Sequence, residues 1–296
     1  RDDLVTGVQT CALPIYWPLM NKTTHTWDDL EESSATNTTD KGNIIARLKA
    51  MAVGWATPGS AYFNNEWLRD DIKDGLDWFY TNRYNPSINN DLWYQRIIGI
   101  PLNLNSCVIL LYNQLSQTQI TNYMDAVNHF CPSVYSLSDA GNPFSGANRT
   151  EVCRVIGIRA IIVKDSAKLQ ESSEGLNEVF NYISMGDEGG FLTDGTYIQH
   201  WYYPYAGAYG LNLIKSLTEM LWLLAGSTWD NTAPNRNNVY DWVFNTYEPV
   251  MYKGRILESV KGRSIAKLTQ VPVNGEYLDG LLKLVEIPSN PYKDTF

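Results

Sequence analysis

The sequence predicts an all-α chain of helical hairpins in series. Apolar residues recur at intervals of three and four along most of its length, breakers fall between those stretches, and strand-like alternation is scarce. After a polar, Thr- and Asn-rich stretch at 37–40, helical periodicity begins near Ile44, where Ile45, Leu48, Lys49, Ala52 and Val53 repeat at helical spacing. Ile72, Leu76, Phe79 and Tyr80 do the same. Further helices are expected over 102–115, 117–130, 150–169, 175–183, 211–224 and 239–252. Between them stand Asn85-Pro86, Pro132, Gly141-Asn-Pro143, the glycines from 186 to 190, and Pro234-Asn235. The one weak strand signal is 268–273. Helices that each need a neighbour to bury an apolar stripe favour a bundle, solenoid or toroid.

The two ends read differently. Residues 1–15 are acidic at the start and lack the sustained apolar core of a signal peptide. They resemble translated sequencing-adapter read-through at the ends of reading frames assembled from metagenomes, and are set aside as an artefact. The domain is expected over 16–287. The stretch 288–296, with Pro288 and Pro291, is expected to begin a linker to a further domain.

The chain has 296 residues, 44% hydrophobic and 19% charged, enough apolar surface for a core. A net charge of −9 argues against general nucleic-acid binding, which needs a dominant basic surface. No apolar run is long enough to span a bilayer, so no membrane partner is expected. Ten Trp and 19 Tyr fill a core and can also stack on sugar rings. With Cys11 set aside, Cys107, Cys131 and Cys153 form no C-x-x-C pair, and buried free thiols are the expectation. The motifs of zinc proteases, P-loop enzymes, serine esterases and dinucleotide enzymes are absent. No metal and no cofactor is called for.

Chemistry concentrates in a few places. His200, one of three histidines, follows Asp194-Gly-Thr-Tyr-Ile-Gln in loop context, and Tyr209 lies nine positions on within Ala206-Gly-Ala-Tyr-Gly. The pair can converge on one bond as an acid/base couple. A satisfied core histidine and an aromatic packed beneath the loop are the plain alternatives. Asn148 stands near an N-cap position before the 150–169 helix, where its amide either caps the helix or holds a carboxylate. Tyr252-Lys-Gly-Arg255 and Val260-Lys-Gly-Arg263-Ser-Ile-Ala-Lys267 gather basic residues. Arg263, after a glycine, suits bidentate contact with a carboxylate. Trp93 and Tyr94, beside Arg96, put two aromatics on different faces of a helix start, one for the core and one for stacking. The set suits proton abstraction next to a carboxylate.

These blocks resemble polysaccharide lyase family 8, which contains hyaluronate, chondroitin AC and xanthan lyases. The resemblance rests on Ile98-Gly-Ile-Pro-Leu-Asn, Gly146-Ala-Asn-Arg-Thr, Val163-Lys-Asp-Ser, Asp194-Gly-Thr-Tyr-Ile-Gln-His, Tyr205-Ala-Gly-Ala-Tyr-Gly, Tyr252-Lys-Gly and Gly262-Arg-Ser-Ile, in the family's order. It implies an incomplete α/α toroid, lacking the family's C-terminal β-sandwich region. It implies that Asn148 binds and neutralises a uronate carboxylate, that His200 and Tyr209 carry the proton transfers, with either as base, and that Arg263 contacts substrate near the cleaved bond. Trp93, Tyr94, Arg149 and Lys267 are taken as substrate-binding. The implied partner is an anionic polysaccharide, cleaved by a secreted, monomeric enzyme to a 4,5-unsaturated uronide.

The chain departs from the family where Trp93-Tyr94 is followed by Gln95, Arg96 and Ile97, and where Lys267 replaces a common arginine. Glycosaminoglycan is the first substrate expected and a xanthan-type polymer the second. A toroidal glycoside hydrolase using Asp187, Glu188 or Asp194 is one alternative. A non-catalytic carbohydrate-binding domain is another.

Overall fold

The computed structural model describes residues 16–30, 38–88, 92–136, 141–266 and 275–293. Residues 1–15, Lys267 and the 268–273 stretch lie outside them. The described residues fall into two compact units. The first ends at Pro132 and takes in Ile162–Lys164; the second is Ser133–Ile161 and the chain from Asp165 onward.

In the first unit, helix α1 (Thr38–Ala56) buries Ile45, Leu48, Met51 and Ala52, as the periodicity predicts. Helix α2 (Glu66–Asn82) starts where the Asn65 side chain accepts from Leu68 N at 2.9 Å. It packs on α1 at Gly75, where a Cβ would stand 2.7 Å from Leu48. Helix α3 (Ile100–Leu110) continues from a π turn, Gln95–Gly99. The Gln95 amide fits against Gly42 and Gly99, where Cβ atoms would come within 2.7 and 2.4 Å of it. Helix α4 (Gln117–Phe130) opens with a reciprocal Ser116/Gln119 capping box. Tyr123 ties it to α2 by donating to Asp77 at 2.5 Å.

In the chain's second half the expected 150–169 helix is two helices, α5 (Gly146–Val163) and α6 (Ser166–Glu174). Lys164 adopts a left-handed φ of 60°, and Asp165 caps α6 by accepting from Lys168 N at 3.0 Å. The apolar pattern runs through this break because apolar residues are buried on both sides of it, Ala160 and Ile162 before and Leu169 after. The expected 175–183 helix is only a 3-10 turn, Asn177–Phe180. Helix α7 (Leu211–Leu224) follows a π turn, Ala206–Gly210. Helix α8 (Asn238–Trp242) runs into a further π turn, Val243–Tyr247, rather than reaching 252. Helix α9 (Gly275–Glu286) lies on α7. Residues 288–293, expected as a linker, fold back: Asn290 donates to Leu284 O at 3.0 Å, and the Tyr292 ring packs on Tyr240 and Phe244.

Short strands carry the functional region. An antiparallel sheet orders β1 (Gly189–Phe191), β2 (Tyr197–Gln199) and β3 (Tyr203–Pro204). A two-residue hairpin, β4 (Met251–Tyr252) and β5 (Arg255–Ile256), turns through Lys253 and Gly254 at positive φ. The sheet is anchored by aromatic packing. Phe191 stacks on Trp242 with centroids 4.1 Å apart and planes 9° apart, and meets Tyr197 edge-on at 4.8 Å. Phe180 covers the Trp242 ring at 6.4 Å.

Phe191→Ala removes the fully buried ring at the centre of this packing and is expected to cost about 3–5 kcal/mol of stability. Urea unfolding of the parent and the variant measures it, and equal midpoints would show that the hairpin is held by something else.

Candidate active site

Strand β2 ends at the fully buried Gln199, and the chain leaves it through two consecutive left-handed residues, His200 at φ 53° and Trp201 at φ 71°. Such a conformation costs roughly 1–3 kcal/mol for each non-glycine residue. The turn is closed by Tyr202 N donating to His200 O at 2.9 Å and Gly186 N donating to Trp201 O at 3.1 Å. It leaves Trp201, Tyr202 and Tyr203 exposed while the His200 ring stays half-buried.

Tyr209 belongs to the π turn that opens α7, so the wider turn rather than a regular helix aims its phenol. His200 Nε2 and the Tyr209 hydroxyl are 3.4 Å apart, with the rings edge-to-face at 5.3 Å. Arg263, from the 3-10 turn Gly262–Ala266, completes the cluster. Its Nη2 donates to His200 Nε2 at 3.2 Å and to the Tyr209 oxygen at 3.3 Å. A guanidinium only donates, so Nε2 presents its lone pair and the ring proton sits on Nδ1.

The electrostatics push the two acid/base groups apart. Burial, reinforced by the Arg263 charge, holds the His200 pKa below its usual 6.5. Burial raises the Tyr209 phenol above 10.0, although Arg263 pulls the other way. Near neutral pH the pair is an uncharged imidazole beside an uncharged phenol.

Asn148 is not the helix cap. Helix α5 begins two residues earlier, at Gly146 with φ 49°, because the glycine makes the sharp entrance and approaches Gln199 and Tyr197 more closely than a side chain allows. A Cβ on Gly146 would lie 3.0 Å from both Gln199 Oε1 and the Tyr197 hydroxyl. The first turn of α5 therefore abuts the strand that delivers His200. Asn148, in that turn, is buried, and its side-chain oxygen has no hydrogen-bond partner. Gln199 is similar: its Oε1 accepts from Tyr197 at 2.7 Å, while its buried Nε2 is unpartnered.

The structure thus brings His200, Tyr209 and Arg263 together and sets the Asn148 turn against the same hairpin. Arg149, expected at substrate, turns into the protein instead. Its side chain is 3% exposed and donates to Phe144 O at 3.0 Å, to Val134 O, and to Glu178 at 3.1 Å. The reason is its place on α5, facing the loop that leads into the helix. Trp93 and Tyr94 belong to the first unit, their rings edge-to-face at 5.8 Å. Tyr205 and Gln199 stand outside the sequence candidates. Their signal was the Tyr205-Ala-Gly and Gln199-His200 adjacency, which does not separate a site residue from a core one. Asp187 and Asp194 serve turns, accepting from Ser184 N and Thr196 N at 2.8 Å each. Among the described residues no His/Cys/Asp/Glu cluster fit for a metal ion occurs, and no helix is long and apolar enough to cross a membrane.

The chain is similar to known proteins along most of its length. Residues 12–294 match the family model described as polysaccharide lyase family 8, N terminal alpha-helical domain. The chain is 36% identical over 256 residues to a xanthan lyase of Bacillus sp. (strain GL1), covering 81% of this chain and 26% of that protein. It is 34% identical over 244 residues to a hyaluronate lyase of Thermasporomyces composti, covering 82% and 30%. In structure it resembles a Paenibacillus xanthan lyase, with a TM-score of 0.82 at 33% identity over 94% of this chain and 26% of the other. A chondroitin AC lyase of Streptomyces coelicolor A3, in complex with chondroitin sulphate, gives 0.80 at 26% identity over 94% and 38%. The chain spans between a quarter and a third of the length of the curated relatives named here. With a helical fold and a family model matching nearly its whole length, the chain belongs to polysaccharide lyase family 8.

Proposed function

We propose that this chain is the helical catalytic part of a lyase that cleaves uronic-acid polysaccharide by β-elimination. The observation that carries the reading is the contact of His200, Tyr209 and Arg263 within 3.4 Å, with the pKa values of the first two moved in opposite directions. Glycosaminoglycans such as hyaluronan or chondroitin are the first substrates. A xanthan-type polymer is second, favoured by the likeness to the two xanthan lyases.

The proton at C5 of a uronate is very weakly acidic, because removing it puts further charge beside a carboxylate. Donors must therefore take up that charge as it forms. Asn148 supplies such a donor through its amide, and Arg263 brings a positive charge to the same cluster. His200 accepts the C5 proton on Nε2. The C5 electron pair forms the C4–C5 double bond, the C4–O bond breaks, and Tyr209 gives its proton to the departing oxygen. The neutral imidazole and protonated phenol are the forms these steps need. A hydrolase reading would need a pair of carboxylates flanking the bond, whereas Asp187 and Asp194 accept hydrogen bonds within turns, which leaves Glu188, its pKa raised by burial, without a second carboxylate from that set. Secretion and a monomeric state belong to the same proposal, since a polymer of this kind is met outside the cell.

Incubation with hyaluronan, chondroitin or xanthan is expected to raise the ultraviolet absorbance of a conjugated uronate. The proteins to compare are this chain and a xanthan lyase carrying it in place of its own helical segment. His200→Ala and Tyr209→Phe should each lower the rate about 10²–10⁴-fold. A rate unchanged in either variant, or reducing-end release without the absorbance, would refute the assignment. The acid limb of kcat/KM reports the base in the free enzyme. With His200 as base its midpoint should fall below 6.5, since activity persists until the depressed imidazole is protonated. A midpoint at or above 6.5 in a pH–rate series would show that burial and Arg263 do not depress the imidazole of the free enzyme.

A further inference from the structure

We propose that Tyr205 is a positioning residue of this site: its phenol oxygen fixes Arg263 in the place from which the guanidinium faces His200 and Tyr209. Arg263 N donates to that oxygen at 2.6 Å and Arg263 Nε donates to it at 3.2 Å. One acceptor thus holds both the backbone and the root of the guanidinium, leaving Nη2 to reach the other two residues. Among the described residues, the side-chain partners of Arg263 are all neutral: Tyr205, Tyr209 and His200.

Tyr205 is itself held on three sides. Its N donates to Tyr197 O on strand β2 at 2.9 Å, and its carbonyl accepts from Ala208 N and Gly210 N at 3.2 and 3.1 Å. Its ring lies edge-on to Tyr209 at 5.0 Å and to His200 at 6.3 Å. The chain arriving from the other side fits only because residue 262 is glycine. Its φ is 50°, and a Cβ there would stand 2.4 Å from the ring. The side chain is 2% exposed, so the ring has no freedom to swing away. The Tyr205 main chain therefore organises the turn carrying Tyr209, while its hydroxyl organises the segment carrying Arg263.

The consequence is electrostatic. The groups facing His200 are Arg263 from the 262–266 turn, Tyr209 from the π turn, and the Tyr205 ring. Arg263 is the charged one, and it disfavours the imidazolium. Tyr209 feels Arg263, Tyr205 and Glu151, of which only Arg263 lowers its pKa. Releasing Arg263 from its anchor should therefore raise both. The effect on rate rests on the lyase reading; the effect on His200 does not.

The test is an NMR titration of His200 in this chain, assigned by His200→Gln among the three histidines. The parent should titrate below 6.5. Tyr205→Phe, which keeps the ring and removes the oxygen, should move the midpoint up towards 6.5. Arg263→Ala should do the same, and the double variant no more than either alone. A Tyr205→Phe midpoint equal to the parent's, with Arg263→Ala shifted, would overturn the proposal. So would a lower melting temperature with no shift, which is what mere packing predicts. If Tyr205→Phe does not fold, Arg263→Lys retains the backbone bond and charge but lacks Nε. It should also raise the midpoint, and no rise would count against the anchor. In the lyase assay Tyr205→Phe should lower kcat about tenfold with KM little changed, as a misplaced group does. If the parent yields no unsaturated uronide, the lyase reading fails while the titration still decides the role of Tyr205.

Discussion

The contact between glycine 262 and the ring of Tyr205 is the constraint on which the site depends. It joins segments about 58 residues apart in sequence, and it admits no side chain at position 262. Two hydrogen bonds to the Tyr205 hydroxyl then leave Arg263 few places to go. The chain carries 32 acidic residues against 23 basic ones, so an unpaired cation would usually find a carboxylate. Holding Arg263 among phenols and an imidazole keeps its charge available to an anionic ligand.

A second constraint is the strained exit from β2. Two successive left-handed residues are unfavourable, and backbone strain persists only where the surroundings over-determine it. Here Phe191 stacks on Trp242, the Thr246 hydroxyl donates to Gly195 O, and Gln199 is buried against Gly146 and Gly189. The aromatic packing thus serves position as well as stability. It turns the His200 ring inward and leaves the next three aromatic side chains exposed.

Helices with one clear stripe were legible. Ile72, Leu76 and Phe79 are buried as their spacing requires, as are Ile45, Leu48 and Ala52. The break at Lys164 was not, because apolar residues are buried on both sides of it and hide the capping role of Asp165. Strands of two or three residues give no alternation to read, and β1 and β2 bury every position. Tyr209 and Arg263 stood out beside glycines, and His200 as one of three histidines, in loop context. Arg149 misled because an arginine next to Asn148 points to a different face of the helix. Tyr205 was hidden because its role lies in a contact with residues 262 and 263, which no local pattern records. The three cysteines are the simplest case: buried thiols, with Cys107 pushed up to about 12 by burial.

The remaining question of design is why Asn148 is an amide when Arg149, the next residue of the same turn, is a buried cation paired with Glu178 at 3.1 Å. An unpaired charge there would bear a desolvation cost of several kcal/mol whenever no substrate is bound. An unsatisfied amide oxygen costs about 1–3 kcal/mol. The free carbonyl of Asn148 and the free Nε2 of Gln199 are both of this cheaper kind. A neutral amide also leaves the field at His200 to Arg263. Arg263, anchored among neutral partners, is thus the charge that adds to burial in holding the His200 imidazole below its usual pKa.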